Sequence, residues 1–129
     1  MAITSIIRPV FAQRRKALDN YRTQAEQLQM QVLKRLTSKA EDTEWGREHG
    51  FASLSTYEDF AASSPVNTYE DLKQAIDRMR QGERDILWPG QVRWYAKSSG
   101  TTNDKSKFIP VSKDGLKDTH YAGGRDAVT

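Results

Sequence analysis

With 129 residues, 36% of them hydrophobic and 29% charged, and a mean hydropathy of −0.79, the chain has the length of one small domain but little apolar material for a deep core. The absence of cysteine excludes disulfides, thiol nucleophiles and cysteine-ligated zinc, and no apolar run approaches the roughly 20 residues that cross a bilayer. The net charge of +3 is unevenly placed: Arg93, Lys97, Lys105, Lys107 and Lys113 against Asp104 alone put +4 between residues 93 and 113, leaving −1 for the remainder.

A charge so concentrated suits a compact polyanion better than a long nucleic acid, whose binders spread basic groups along a face. No nucleic-acid partner and no membrane partner are therefore expected. The opening stretch MAITSIIRPVFAQRR is interrupted by Arg8 and Pro9 and is not built as a signal peptide. A cytoplasmic protein is the expectation.

From about Pro9 to Ala40 the pattern predicts one long helix, or two nearly collinear ones. Pro9 suits a first helical turn. Leu18, Tyr21, Ala25, Leu28, Val32 and Leu36 recur every three or four residues and draw one apolar stripe. TEWGREHGF (Thr43 to Phe51) reads as a turn-rich link. Gly46 and Gly50 punctuate it, Trp45 and Phe51 anchor it, and His49 is expected at the surface or as a cap rather than on a metal.

STYEDF (Ser55 to Phe60) and NTYEDL (Asn67 to Leu72) then repeat with a period too short for a solenoid. The shared logic is helix capping: Ser55 or Thr56, and Asn67 or Thr68, precede acids in the first turn. The second helix is expected to run to about Gln81 and stop at Gly82, with Leu72, Ala75, Ile76 and Met79 inward. Tyr57 and Tyr69 read as core residues.

ILWPGQ (Ile86 to Gln91) is a turn. VRWYAK (Val92 to Lys97) alternates, with Val92, Trp94 and Ala96 on one face and Arg93, Tyr95 and Lys97 on the other. KFIPV (Lys107 to Val111) is a second extended run, kept to an edge by Pro110. Together they predict a hairpin. Ser112 can cap a helix starting near Lys113, weakened by Gly123 and Gly124, on which His120 has no evident partner. The fold class is thus mainly α with a small C-terminal β-hairpin (α+β). A helical segment is expected over 1–85, and the hairpin with the start of the next helix over 86–129.

The connection between the two strands, KSSGTTNDKSKFIPVS (Lys97 to Ser112), carries the chemistry. Ser98, Ser99, Thr101 and Thr102 supply hydroxyl donors, and Gly100 lets the backbone come close. Consecutive N–H groups in a tight turn suit phosphate oxygens, and Lys105 and Lys107 add charge. It is not a Walker A loop, because the second glycine of that pattern is missing and a strand follows rather than a helix. On composition alone, a polyphosphate clamp and an ordinary polar hairpin tip both remain open.

SSGTTNDKSKFIPVS resembles the adenylation signature of acyl-adenylate-forming enzymes, and most of all its form in the auxin-responsive promoter family of acyl-acid amido synthetases. TEWGREHGF, SPVNTYEDLKQAIDRMRQGE and ILWPGQVRW are similar to that family's upstream segments in the same order, so the resemblance runs from roughly Gln31 to the end. It implies a ligase that binds ATP and Mg2+, joins a carboxylic acid to AMP and passes the acyl group to an amino acid. It further implies that Ser98, Ser99, Gly100, Thr101 and Thr102 hold the ATP phosphates and that Lys107 is the motif's closing cation, with Lys105 as an additional charge. Asp104 stands where many relatives have glycine. The chain is then expected to be the N-terminal fragment of a larger α/β adenylate-forming enzyme. Catalytic residues and the magnesium ligand would lie elsewhere, and the fragment would be inactive alone and prone to self-association. A helical interaction module with a non-functional loop is the alternative.

Overall fold

A computed structural model describes residue 12, residues 14–98 and residues 106–127. In chain order the elements are α1 (residues 14–20), α2 (Ala25–Ala40), α3 (Glu44–Glu48), a 3-10 turn (Phe51–Ser53), α4 (Tyr57–Ser63), α5 (Tyr69–Arg80), β1 (Trp94–Lys97), β2 (Phe108–Val111), and a last helical stretch. That stretch consists of α6 (Lys113–Gly115), a π-helical segment (Leu116–Tyr121) and α7 (Ala122–Asp126). The expected class is borne out: mainly α, with one small antiparallel hairpin.

The first helix breaks where polar side chains compete with the helical ladder. Tyr21, Arg22 and Thr23 donate their N–H groups only three residues back, to Leu18, Asp19 and Asn20, and the Thr23 hydroxyl also reaches the Asn20 carbonyl at 3.4 Å. α2 then restarts at Ala25, so two helices stand where one or two were expected. The stripe sets the inward face only in part: Leu18 and Leu28 are half-buried. Tyr21, Val32 and Leu36 are exposed, whereas Leu33 is half-buried and Thr37 and Ala40 are buried. The inward face lies one residue further along from Val32 and Leu36, a rotation of about 100° on an α-helix. Thr37 tolerates burial because its hydroxyl donates to the Leu33 and Lys34 carbonyls.

The joint after α2 is tight. Thr43, 1% exposed, caps α3: its hydroxyl accepts the Gly46 N–H at 2.9 Å and donates to the Ala40 carbonyl at 2.7 Å. The next two N–H groups, of Glu44 and Trp45, donate to the carbonyls of Asp85 and Ile86 at 2.8 and 3.0 Å. The early helical link is thereby tied to the turn that precedes the hairpin. That turn closes on itself, with the Asp85 N–H donating to the Gly90 carbonyl and the Gly90 N–H to the Asp85 carboxylate. Around it lies the core, with Met79, Ile86 and Val92 buried and Ala75, Leu87, Trp88 and Tyr95 packed against them.

Both repeats form capping boxes, and threonine is the cap in each. The Thr56 and Thr68 hydroxyls accept the N–H of Asp59 and Asp71, whose carboxylates bond back to the cap N–H groups. α5 ends as expected, with Gln81 as its C-cap and Gly82 at φ +99°. β1 and β2 pair antiparallel, from Trp94 opposite Val111 to Lys97 opposite Phe108. Within β1 the inward residue is Tyr95, not Trp94 or Ala96, which are exposed.

The last helical stretch is capped by Ser112, whose hydroxyl accepts the Gly115 N–H at 2.9 Å, and runs through Gly123 and Gly124. It is fastened to the first two helices chiefly by charge: Arg14 to Asp126 at 2.5 Å, Arg35 to Asp118 at 2.6 Å, and Lys39 to Asp114 at 2.7 Å. The Trp88 indole N–H also donates to Asp114, at 3.1 Å.

Two outcomes test this account. A Cβ at Gly46 would stand 2.0 Å from the Ala40 carbonyl oxygen, so Gly46→Ala is expected to lower unfolding stability by about 1–3 kcal/mol, read from urea denaturation. The second concerns acid. Ion pairs hold Glu44 (to Arg78), Asp114 (to Lys39) and Asp126 (to Arg14) below the usual carboxylate range, and hydroxyl and backbone donors do the same for Asp59 and Asp71. A carboxylate depressed in the folded state contributes stability above its unfolded pKa, which is lost as pH falls through the folded value. The thermal midpoint is therefore expected to hold from pH 7 to about 5 and to drop steadily below about 4.

Candidate functional site

The hairpin brings Ser98 and Lys107 face to face. The Ser98 N–H donates to the Lys107 carbonyl at 3.0 Å, and the Lys107 N–H donates to the Ser98 hydroxyl at 3.3 Å. This pair continues the β1–β2 ladder one step beyond Lys97 and Phe108 and forms the stem of the connecting loop. One accepted bond leaves the Ser98 hydroxyl its own hydrogen to donate. Ser99, Gly100, Thr101, Thr102 and Lys105, the other residues singled out in the sequence, lie outside the described residues, as do Asn103 and Asp104.

The stem is braced by α5. The Phe108 N–H, on the strand edge facing away from β1, donates to the Tyr69 hydroxyl at 3.0 Å. The face of the same tyrosine ring lies 5.5 Å from the Lys107 ammonium. At the other end of α5 the Arg80 guanidinium stacks 3.8 Å from the Phe108 ring. One helix thus holds the start of β2 at two points. Sequence reasoning missed Tyr69 and Arg80. Tyr69 was expected in the core; it is half-buried, and its partners are the stem. Tyr57, at the same place in the earlier repeat, is 59% exposed rather than core. Nothing in either hexapeptide distinguishes the two tyrosines.

The other flank of the hairpin is the core. Burial raises the Tyr95 phenol above its ordinary range, and its hydroxyl donates to the Val92 carbonyl at 3.2 Å, so it is structural. His49 is also structural: it caps α3, is buried, stacks on Trp45 at 3.9 Å and bonds the Trp45 carbonyl through Nδ1. His120 is exposed on the π-helical segment and sits edge-on to Tyr121. Among the described residues no group of three or more His, Asp or Glu side chains is placed to hold a metal ion, and no helix is long and apolar enough to cross a membrane.

What the described residues provide is a hydroxyl and an ammonium at the mouth of a loop rich in hydroxyls, on a stem fixed from one side by a helix. Such a stem can present the Ser98 hydroxyl and the Lys107 ammonium to an anion from a backbone that is already fixed.

A family model described as the GH3 family N-terminal domain matches residues 14–127. The match begins well upstream of Gln31 and takes in α1 and α2. Two indole-3-acetic acid-amido synthetases of Arabidopsis thaliana, GH3.6 and GH3.5, are 29% and 30% identical over 77% and 81% of this chain, which are 16% and 17% of their own lengths. A probable indole-3-acetic acid-amido synthetase of Oryza sativa subsp. japonica, GH3.2, is 33% identical over 69% of this chain and 15% of its own length. The chain spans about one sixth of the length of the curated relatives it matches.

Proposed function

The chain belongs to the GH3 family, and from that membership we propose that the protein is the N-terminal part of an ATP-dependent amido synthetase whose hairpin loop holds the nucleotide's phosphates. The carrying observation is the stem. Ser98 and Lys107 are paired at the mouth of a connection that also contains Ser99, Gly100, Thr101, Thr102 and Lys105. The local excess of positive charge falls on the same segment.

In this reading a substrate carboxylate oxygen attacks the α-phosphorus of ATP. A bond forms between that oxygen and phosphorus, the bond to the β-phosphate bridge breaks, and pyrophosphate leaves. The neutral amine of an amino acid then attacks the acyl carbon, AMP leaves with the electron pair of the C–O bond, the nitrogen gives up one proton to solvent, and an amide remains. The loop's role is electrostatic. It holds the phosphates in line and stabilises the negative charge that builds on their oxygens, without itself acting as nucleophile or base. Magnesium, when bound with the nucleotide, neutralises part of the phosphate charge. Its protein ligand is assigned to the portion of the relatives that this chain does not cover, together with the adenine, acid and amine pockets. In this reading the acid is a carboxylic acid, as indole-3-acetic acid is in the relatives' names, the acceptor is an amino acid, and the site of action is cytoplasmic.

Titrating the full-length protein with MgATP, then assaying acid-dependent pyrophosphate exchange over a panel of carboxylic acids, tests the reading. Binding in the micromolar-to-millimolar range is expected, weakened about tenfold or more by Lys107→Met, as for loss of one charge-assisted contact. The 129-residue chain alone is expected to give no exchange. A full-length protein that takes up no MgATP at millimolar concentration overturns the proposal.

A further inference from the structure

We infer that Tyr69 is a positioning residue for the proposed phosphate-binding loop, setting where the Lys107 ammonium stands; this rests on the nucleotide reading above. One side chain grips two consecutive residues of the stem. Its hydroxyl accepts the Phe108 N–H at 3.0 Å, and its ring face lies 5.5 Å from the Lys107 ammonium. The first grip matters because neighbouring N–H groups in an antiparallel strand point to opposite edges. The Lys107 N–H turns inward to the Ser98 hydroxyl, so the Phe108 N–H turns outward, to an edge that no third strand covers among the described residues. The second grip acts on a lysine side chain, whose flexible four-carbon stem has a wide range of rotamers. An aromatic face attracts such a cation and narrows that range.

Tyr69 is itself well held. It occupies the first position of α5, inside the Thr68–Asp71 capping box, and α5 reaches the same strand again through Arg80 on the Phe108 ring. The contrast with Tyr57 isolates the role. A near-identical capping hexapeptide places that ring in solvent, 59% exposed. Holding a helix start therefore does not require the tyrosine; bracing the stem does.

A double-mutant cycle in the full-length protein tests this, with MgATP affinity read by calorimetry and thermal midpoints recorded for every variant. Tyr69→Phe keeps the ring and deletes the acceptor; Tyr69→Leu deletes both. Weakening of about threefold for Tyr69→Phe and about tenfold for Tyr69→Leu is expected, with affinity for the acid substrate unchanged. In a Lys107→Met background, Tyr69→Leu is expected to add less than about twofold, because the two residues act as one unit. A full tenfold loss in both backgrounds, or unchanged affinity in Tyr69→Leu, overturns the role of Tyr69 while leaving nucleotide binding intact. A wild-type protein that binds no MgATP overturns the nucleotide reading itself, and this inference with it. Tyr69→Phe, which preserves volume and burial, keeps the test decisive if Tyr69→Leu does not fold.

Discussion

The N-terminus of α3 is where the chain's separate pieces become one body. A five-residue helix has N–H groups to satisfy and almost no hydrophobic area with which to hold itself in place. Here Thr43 satisfies one of those donors with its hydroxyl, while Glu44 and Trp45 send theirs to the carbonyls of Asp85 and Ile86. Those acceptors belong to the turn that feeds Val92 and β1. The bonds therefore connect the end of α2 to the base of the hairpin across some forty residues of chain, and the Arg78 guanidinium reinforces the joint by bridging Glu44 and Glu83. Gly46 is required because its Cα passes too close to the Ala40 carbonyl for any side chain.

What hangs from that joint is economical. Few hydrophobic side chains are buried among the described residues, and Met79, Ile86 and Val92 cluster where α5, the 85–92 turn and Tyr95 meet. Elsewhere cohesion is polar. Three ion pairs fasten the last helical stretch to α1 and α2, all between partly exposed side chains, where water screens the attraction and each pair is worth little alone. The hairpin would be marginal in isolation. It gains rigidity from Tyr95 on the core side and from Tyr69 and Arg80 on the side of β2. In the proposed function this asymmetry has a use, since the stem of a phosphate-holding loop must stay still when the nucleotide binds.

Family membership and the hairpin reading rest on different parts of the chain. The match over residues 14–127 depends on the whole pattern of the chain, including helices far from the loop. The hairpin reading depends on sixteen residues and their charge. The resemblance seen from Gln31 onward proved conservative, because amphipathic helices such as α1 and α2 carry few distinctive residue types to recognise by eye.

Local chemistry was legible in the amino-acid order: the capped starts of α4 and α5, the stop at Gly82, the turn at Pro89–Gly90, the two strands and the Ser112 cap each follow from residues within a few positions of one another. The hydroxyl-rich, basic connection at Lys97–Ser112 was legible for the same reason. Which face of α2 turns inward, which residue of β1 packs on the core, and which of two tyrosines in near-identical hexapeptides braces a strand were decided only by the tertiary structure. Those choices depend on what lies across from each residue, and a periodic pattern specifies a stripe without specifying its neighbour.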